Sequence, residues 1–222
     1  MRQQPSAGRP PSLVAWTPGE LVSAGGGLRF VRGIEEWLRA LKGALQAGLP
    51  GVLVREPRLL DGDFSELLQH SKQACSQHGA WFGVHDRAHL VAGVEADGLH
   101  LGFRSLRPQE ARLVVGPGVG IGRSTHLGDD VSQNDGCDWG SLSPIYPTPS
   151  KEGLLDAVGI DALADATRAA LPLWALGGLT PERVAPVMQA GAQGVMARGA
   201  ILASPDPAAA TTAFLRALEI QR

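Results

Sequence analysis

The stretch Ile145 to Gly153, IYPTPSKEG, gathers Thr148, Ser150 and Lys151 within four residues. Two hydroxyls and an ammonium supply hydrogen-bond donors to an anion. Pro147 and Pro149 restrict the loop, which lowers the entropy lost on closing over a ligand. By itself the stretch reads equally as a Pro-rich surface turn with a solvated lysine. Two glycine-bearing segments shift the balance. In WALGGLTPERV, Gly177 and Gly178 follow an apolar run and precede a helix start, so their N–H groups can approach a phosphate with no Cβ in the way. In GVMARGAIL, Ala197 and Arg198 end the next apolar run, and Arg198 either adds charge to the same site or points to solvent. Together the three segments predict one phosphate site.

Other candidates end earlier apolar runs. GIGRSTHLGDD ends on Ser124, Thr125 and His126. A histidine there can give and take a proton near neutrality, with Ser124 beside it as a donor; the alternative is a helix cap with an exposed His126. VLVREP carries Arg55, which suits bidentate binding of a carboxylate or phosphate, or an ion pair with Glu56. GVHDRAHL carries His85 and Asp86, the latter a helix cap or a metal ligand. His89 and His100 read as packed or surface residues.

These residues need a scaffold that brings the ends of successive runs together. From Leu13, short β-rich runs alternate with longer helical patterns, as in βα units around a parallel sheet. Strands are expected at 13–16, 51–55, 80–84, 98–101, 118–123, 138–146, 173–176 and 194–197. Over Asp63 to His78, Phe64, Leu67, Leu68, Ser71 and Cys75 share one helical face. A further helix starts at Thr180 with Pro181 in its first turn, buries Val184, Val187 and Met188, and closes at Gly191. Eight strands predict a single-domain α/β protein, a (β/α)8 TIM barrel over residues 12–222, with a five-stranded flavodoxin-like sheet as runner-up. In either fold the strand carboxyl ends carry the site. Residues 1–11, with three prolines and no periodicity, are expected to be a disordered extension.

Composition restricts the partners. The chain of 222 residues is 44% hydrophobic, with a formal net charge of −2 and its 20 Lys and Arg residues scattered. That gives no basic patch for nucleic acid, so a small-molecule partner is expected. No apolar run reaches the length of a membrane span and no signal peptide is visible, so a cytoplasmic location is expected. Cys75 and Cys137 have no metal-binding spacing and read as reduced thiols.

The segments HDRAHLVAGVEADGLHLG, GRSTH, SPIYPTPSKEG and WALGGLTPERV followed by AGAQGVMARGAI, in this order, resemble the thiamine phosphate synthase superfamily, which includes the TenI-type thiazole tautomerases. The resemblance runs from about Leu13 to Leu218. It implies a (β/α)8 barrel holding a thiazole phosphate at Thr148, Ser150, Lys151, Gly177 and Gly178, and makes a homo-oligomer an expectation. In the synthases it further implies a pyrimidine diphosphate with Mg2+, held by an Arg-x-Lys pair, an Asn-Asp pair and a further Asp. Here Pro57 stands in place of that Lys, His85 in place of the Asn, and Ser105 in place of the second Asp.

These departures remove a countercharge and an oxygen ligand that Mg2+ prefers. The expectation is therefore a thiazole tautomerase, which aromatises a dihydrothiazole carboxylate phosphate without a cofactor. His126 shuttles the proton, Ser124 orients it and Arg55 holds the carboxylate. The alternatives are a thiamine phosphate synthase, with Asp86 holding Mg2+, and a non-catalytic thiazole phosphate-binding or regulatory protein.

Overall fold

The computed structural model describes residues 8–126, 128–129, 134–148, 151 and 153–220. Eight parallel strands close into a barrel in sequence order: β1 Leu13–Trp16, β2 Gly51–Val54, β3 Trp81–His85, β4 Gly98–Leu101, β5 Gly120–Thr125, β6 Trp139–Leu142, β7 Leu173–Leu176 and β8 Gly194–Ala197. Leu13 and Ala15 pair with Val195 and Ala197, which closes the sheet and excludes the open five-stranded alternative. Helices α1 Ile34–Gln46, α2 Asp61–Gln77, α3 Ala88–Val91, α4 Pro108–Val115, α5 Gly159–Ala166, α6 Val184–Gln189 and α7 Pro207–Glu219 cover the outside.

Several boundaries differ from expectation for identifiable reasons. Strand β6 stops at Leu142, short of Tyr146, where Pro144 has no N–H to continue a ladder. Helix α2 starts two residues earlier than expected, at Asp61, after Leu60 donates its N–H to Ser23 Oγ at 2.8 Å. Its buried face is Phe64, Leu67, Leu68, Ser71 and Cys75, as the 3.6-residue spacing requires. The segment after Thr180 begins as a 3-10 turn, Pro181–Arg183, before becoming α6, and Gly191 at φ +94° ends it.

The start of the chain corrects one expectation. Pro10 is buried and the Pro11 carbonyl accepts a hydrogen bond from Trp174 Nε1 at 2.8 Å, so residues 8–11 pack across the amino-terminal end of the barrel. Residues 1–7 lie outside the described residues.

Two cores result. One lies between strands and helices. The other fills the barrel lumen with Val14, Trp16, Leu53, Trp81, Trp139, Trp174 and Met196. Trp139 lies edge-on to both Trp81 and Trp174, with ring centroids 6.2 and 5.9 Å away. So many large rings fit because facing positions carry no side chain. A Cβ on Gly122 would lie 2.2 Å from the Trp139 ring, and one on Gly98 would lie 2.4 Å from Trp81. The inward face repeats every second residue, so it continues upward from Leu53 to Arg55 and from Met196 to Arg198. The same alternation carries His85, His100, Ser124 and Ser141 toward the carboxyl-terminal mouth.

Candidate active site

Two cavities open at that mouth. The first, about 430 Å³, is lined by Thr148, Lys151, Gly177, Gly178, Ala197 and Arg198, which unites the three segments expected to form a phosphate site. Gly177 and Gly178 adopt φ +98° and +63°, and a Cβ on either would meet Pro144 or Tyr146 within 3 Å. Glycine is therefore required there, and the β7 end can approach the β6 loop closely. Arg183 lies over the Tyr146 ring at 4.4 Å and donates to the Gly178 carbonyl, tying the two loops together. Ser150 lies outside the described residues.

The second cavity, about 610 Å³, is lined by Arg55, His85, Asp86, Arg87, Arg104 and Ser105 among others. Asp86 is at its centre. One carboxylate oxygen, Oδ1, accepts from the Gly102 N–H at 3.3 Å and from the Ser105 hydroxyl, while Oδ2 lies 3.1 Å from His85 Nδ1. Burial by itself would raise the pKa of this carboxyl. Hydrogen bonding and attraction from His85, with the bonds from Ser105 and Gly102, more than compensate and hold it well below the usual carboxylate range. Asp86 thus does not cap α3; Arg87 occupies the cap position, in the left-handed region at φ 48°.

Arg55 connects the cavities electrostatically. Partial burial and then repulsion from Arg198 lower its pKa, against attraction from Asp86 and Glu56. Lys151 is lowered as well, by burial and then by Arg198 and Arg55. Three cations converging on one mouth repel one another, and an anion among them relieves that repulsion.

The loop after β1, which sequence reasoning missed, anchors the two arginines. Thr17 Oγ1 donates to the Arg55 carbonyl at 3.0 Å and accepts the Arg55 N–H at 2.8 Å. The two oxygens of Glu56 accept the N–H groups of Gly19 and Leu21. Arg198 donates from Nε and Nη2 to the Pro18 carbonyl, at 3.1 and 2.7 Å. One short loop therefore ties the ends of β2 and β8. The polar run between Trp16 and Leu21 was the only sequence signal for it.

His126 is placed differently from expectation. It follows β5, its Nδ1 lies 3.4 Å from Asp129 Oδ2, and its N–H donates to the same carboxylate at 2.8 Å. Neither His126 nor Ser124 lines the two cavities. His100, read as a packed residue, is packed: it is fully buried, with Nε2 3.0 Å from Ser141 Oγ.

The donors present do not fit the Mg2+ implied for a synthase. That ion takes oxygen ligands in strict octahedral geometry. Both oxygens of Asp86 and both of Glu56 already accept hydrogen bonds from the protein, which would compete with a metal for their lone pairs. Among the described residues no three His, Cys, Asp or Glu side chains are grouped to share a metal.

Comparisons with known proteins agree with the fold. The family profile described as thiamine monophosphate synthase matches residues 30–201. The putative thiamine-phosphate synthase of Geobacter sulfurreducens is 35% identical over 193 residues, covering 86% of this chain and 91% of that protein. The thiamine biosynthesis bifunctional protein ThiM/ThiE of Symbiobacterium thermophilum is 38% identical over 178 residues, or 79% of this chain. This chain spans only 37% of that bifunctional protein. It spans 52% of the thiamine-phosphate synthase of Synechococcus sp. strain WH7803. Among solved structures, thiamine phosphate pyrophosphorylase from Pyrococcus furiosus superposes with a TM-score of 0.78 at 20% identity, covering 94% of this chain and 96% of that one, which establishes the shared barrel. The names of these relatives favour the synthase alternative over the tautomerase expected from the sequence.

Proposed function

The chain belongs to the thiamine monophosphate synthase family, and on that premise we propose that it acts in thiamine biosynthesis as a thiamine phosphate synthase, joining a thiazole phosphate to a pyrimidine diphosphate. The observation that carries this reading is the pair of cavities at the strand carboxyl ends, with Arg55 lining the larger and Lys151 and Arg198 lining the smaller. A condensation needs two anionic substrates held side by side; an isomerase needs one.

In this reading the thiazole phosphate enters the smaller cavity. Lys151 and Arg198 supply countercharge and the turn at Gly177 and Gly178 supplies close backbone approach. The pyrimidine diphosphate lies in the larger cavity beside Arg55. The thiazole nitrogen donates its lone pair to the pyrimidine methylene carbon, the C–O bond to diphosphate breaks, and the electron pair leaves on the diphosphate oxygen. Holding the thiazole by its remote phosphate and the pyrimidine by its departing diphosphate converts an encounter into a positioned reaction, and Arg55 faces the charge that develops on the leaving group.

One observation favours the tautomerase as a second reading. Asp86 is hydrogen-bonded by Ser105 and Gly102 and lies 3.1 Å from His85, and His85 and Ser105 stand where the synthases carry an Asn and an Asp. On that reading His126, held by Asp129, moves the proton, and His126→Gln stops isomerisation.

One NMR time course separates the readings. The chain is mixed with the dihydrothiazole carboxylate phosphate, and thiazole phosphate, pyrimidine diphosphate and Mg2+ are added later. Thiamine phosphate appearing after the addition supports the synthase. Isomerisation before it, with no thiamine phosphate after it, replaces the synthase by the tautomerase. Binding with neither reaction leaves the non-catalytic alternative.

A further inference from the structure

The larger cavity combines a committed carboxylate with uncommitted cations. Asp86 acts within the protein: its oxygens fix the His85 ring, the Ser105 hydroxyl and the start of the loop after β4. Gly102 packs closely here: a Cβ there would lie 3.3 Å from His85 Cε1. A divalent ion at Asp86 would compete with these donors for the carboxylate oxygens and would meet Arg55 and Arg104 on the same lining.

The two arginines have different surroundings. Arg55 is half-buried and its guanidinium has only the weakly compensating carboxylates of Asp86 and Glu56 nearby. Arg104 is exposed and lies over the Phe103 ring at 5.0 Å, at the rim of the cavity. Arg87 is already committed, with Nη1 3.3 Å from Asp61 and Nη2 donating to the Leu59 carbonyl. Two planar guanidiniums on the lining of one cavity form a receptor for a multiply charged, oxygen-rich anion.

Resting on the synthase reading, we propose that this cavity binds a diphosphate group directly through Arg55 and Arg104, without a divalent cation, and that Asp86 is a positioning residue and not a metal ligand. The arginines supply the charge neutralisation that a metal would otherwise provide.

The test is calorimetric titration of the full chain with inorganic pyrophosphate, with thiazole phosphate saturating the other cavity, first in EDTA and then in excess Mg2+. The expected result is binding in EDTA with a Kd within about threefold of the value in Mg2+, and a loss of about tenfold or more in Arg104→Gln with its Tm unchanged. Binding only after Mg2+ is added overturns the proposal, as does no binding in either buffer. Unchanged affinity in Arg104→Gln overturns the assigned cavity. A Mn2+ titration read by EPR is a second check: tight Mn2+ binding to the unliganded chain places a metal at Asp86 and overturns the proposal. Thiamine phosphate formed only with Mg2+ defeats this inference and leaves the synthase reading. Metal-independent pyrophosphate binding with no product does the reverse.

Discussion

His100 Nε2 and Ser141 Oγ lie 3.0 Å apart at the centre of the barrel, beneath the mouth, and His100 Nδ1 has no hydrogen-bond partner among the described residues. Burial, followed by repulsion from His85 and Arg55, holds the His100 pKa well below its ordinary 6.5, against attraction from Asp86. The folded protein therefore keeps this ring neutral. As pH falls through about 6.5 the unfolded chain takes up a proton that the folded chain refuses, so stability declines by up to about 1.4 kcal/mol per pH unit. The stability is fully present above that pH. Urea unfolding at pH 7.5, 6.5 and 5.5 checks this: His100→Gln is expected to flatten the acid limb, and an unchanged slope in the variant would assign it to other groups.

Lys151 offers the ammonium at the phosphate cavity. Lys151→Gln is expected to weaken thiazole phosphate binding about 10- to 100-fold, the usual range for a charge-assisted hydrogen bond of about 1.5–3 kcal/mol. Calorimetry measures it directly. Equal affinities for the two proteins would move the phosphate elsewhere.

Thr17 uses one hydroxyl to satisfy both backbone groups of Arg55. Thr17→Val keeps the volume and strands the Arg55 N–H, at an expected cost of about 1–3 kcal/mol in unfolding free energy. Because Arg55 loses its anchor, KM for the diphosphate substrate is expected to rise as well. A stability loss with unchanged kinetics would make Thr17 purely structural.

Glycines in this barrel divide by what faces them. Gly122→Ala drives a methyl into the Trp139 ring and is expected to cost about 1–3 kcal/mol, lowering Tm by several degrees. Gly43, inside α1, has nothing within 4 Å of its ideal Cβ, so Gly43→Ala is expected to raise stability by about 0.5–1 kcal/mol. Calorimetric melts of both variants test the opposite signs.

Much of this was readable in one dimension. The alternation of apolar runs located all eight strands, and ranking residues at strand ends identified Arg55, Lys151, Gly177, Gly178, Ala197 and Arg198 before any geometry was known. What failed depended on closure or on local pairing. Arg55 and Arg198 are far apart in sequence and become neighbours only when β8 meets β1, so their repulsion and their shared tether at Thr17 and Pro18 have no local signature. His126 has a motif suited to proton transfer, and among the described residues the carboxylate beside it is Asp129, three residues on, in its own loop. The committed state of Asp86 depends on Ser105, which is contributed by the loop after a different strand.

The tryptophan-filled lumen gives the molecule an optical signature. Four of its five tryptophans, Trp16, Trp81, Trp139 and Trp174, share the barrel interior, and only Trp37 lies on an outer helix. Indoles held this close and at fixed angles couple their excited states and pass excitation between one another. Near-ultraviolet circular dichroism will therefore report almost entirely on the barrel interior. Because His100 touches both Trp16 and Trp139, the same bands carry an internal reading of whether that imidazole is protonated.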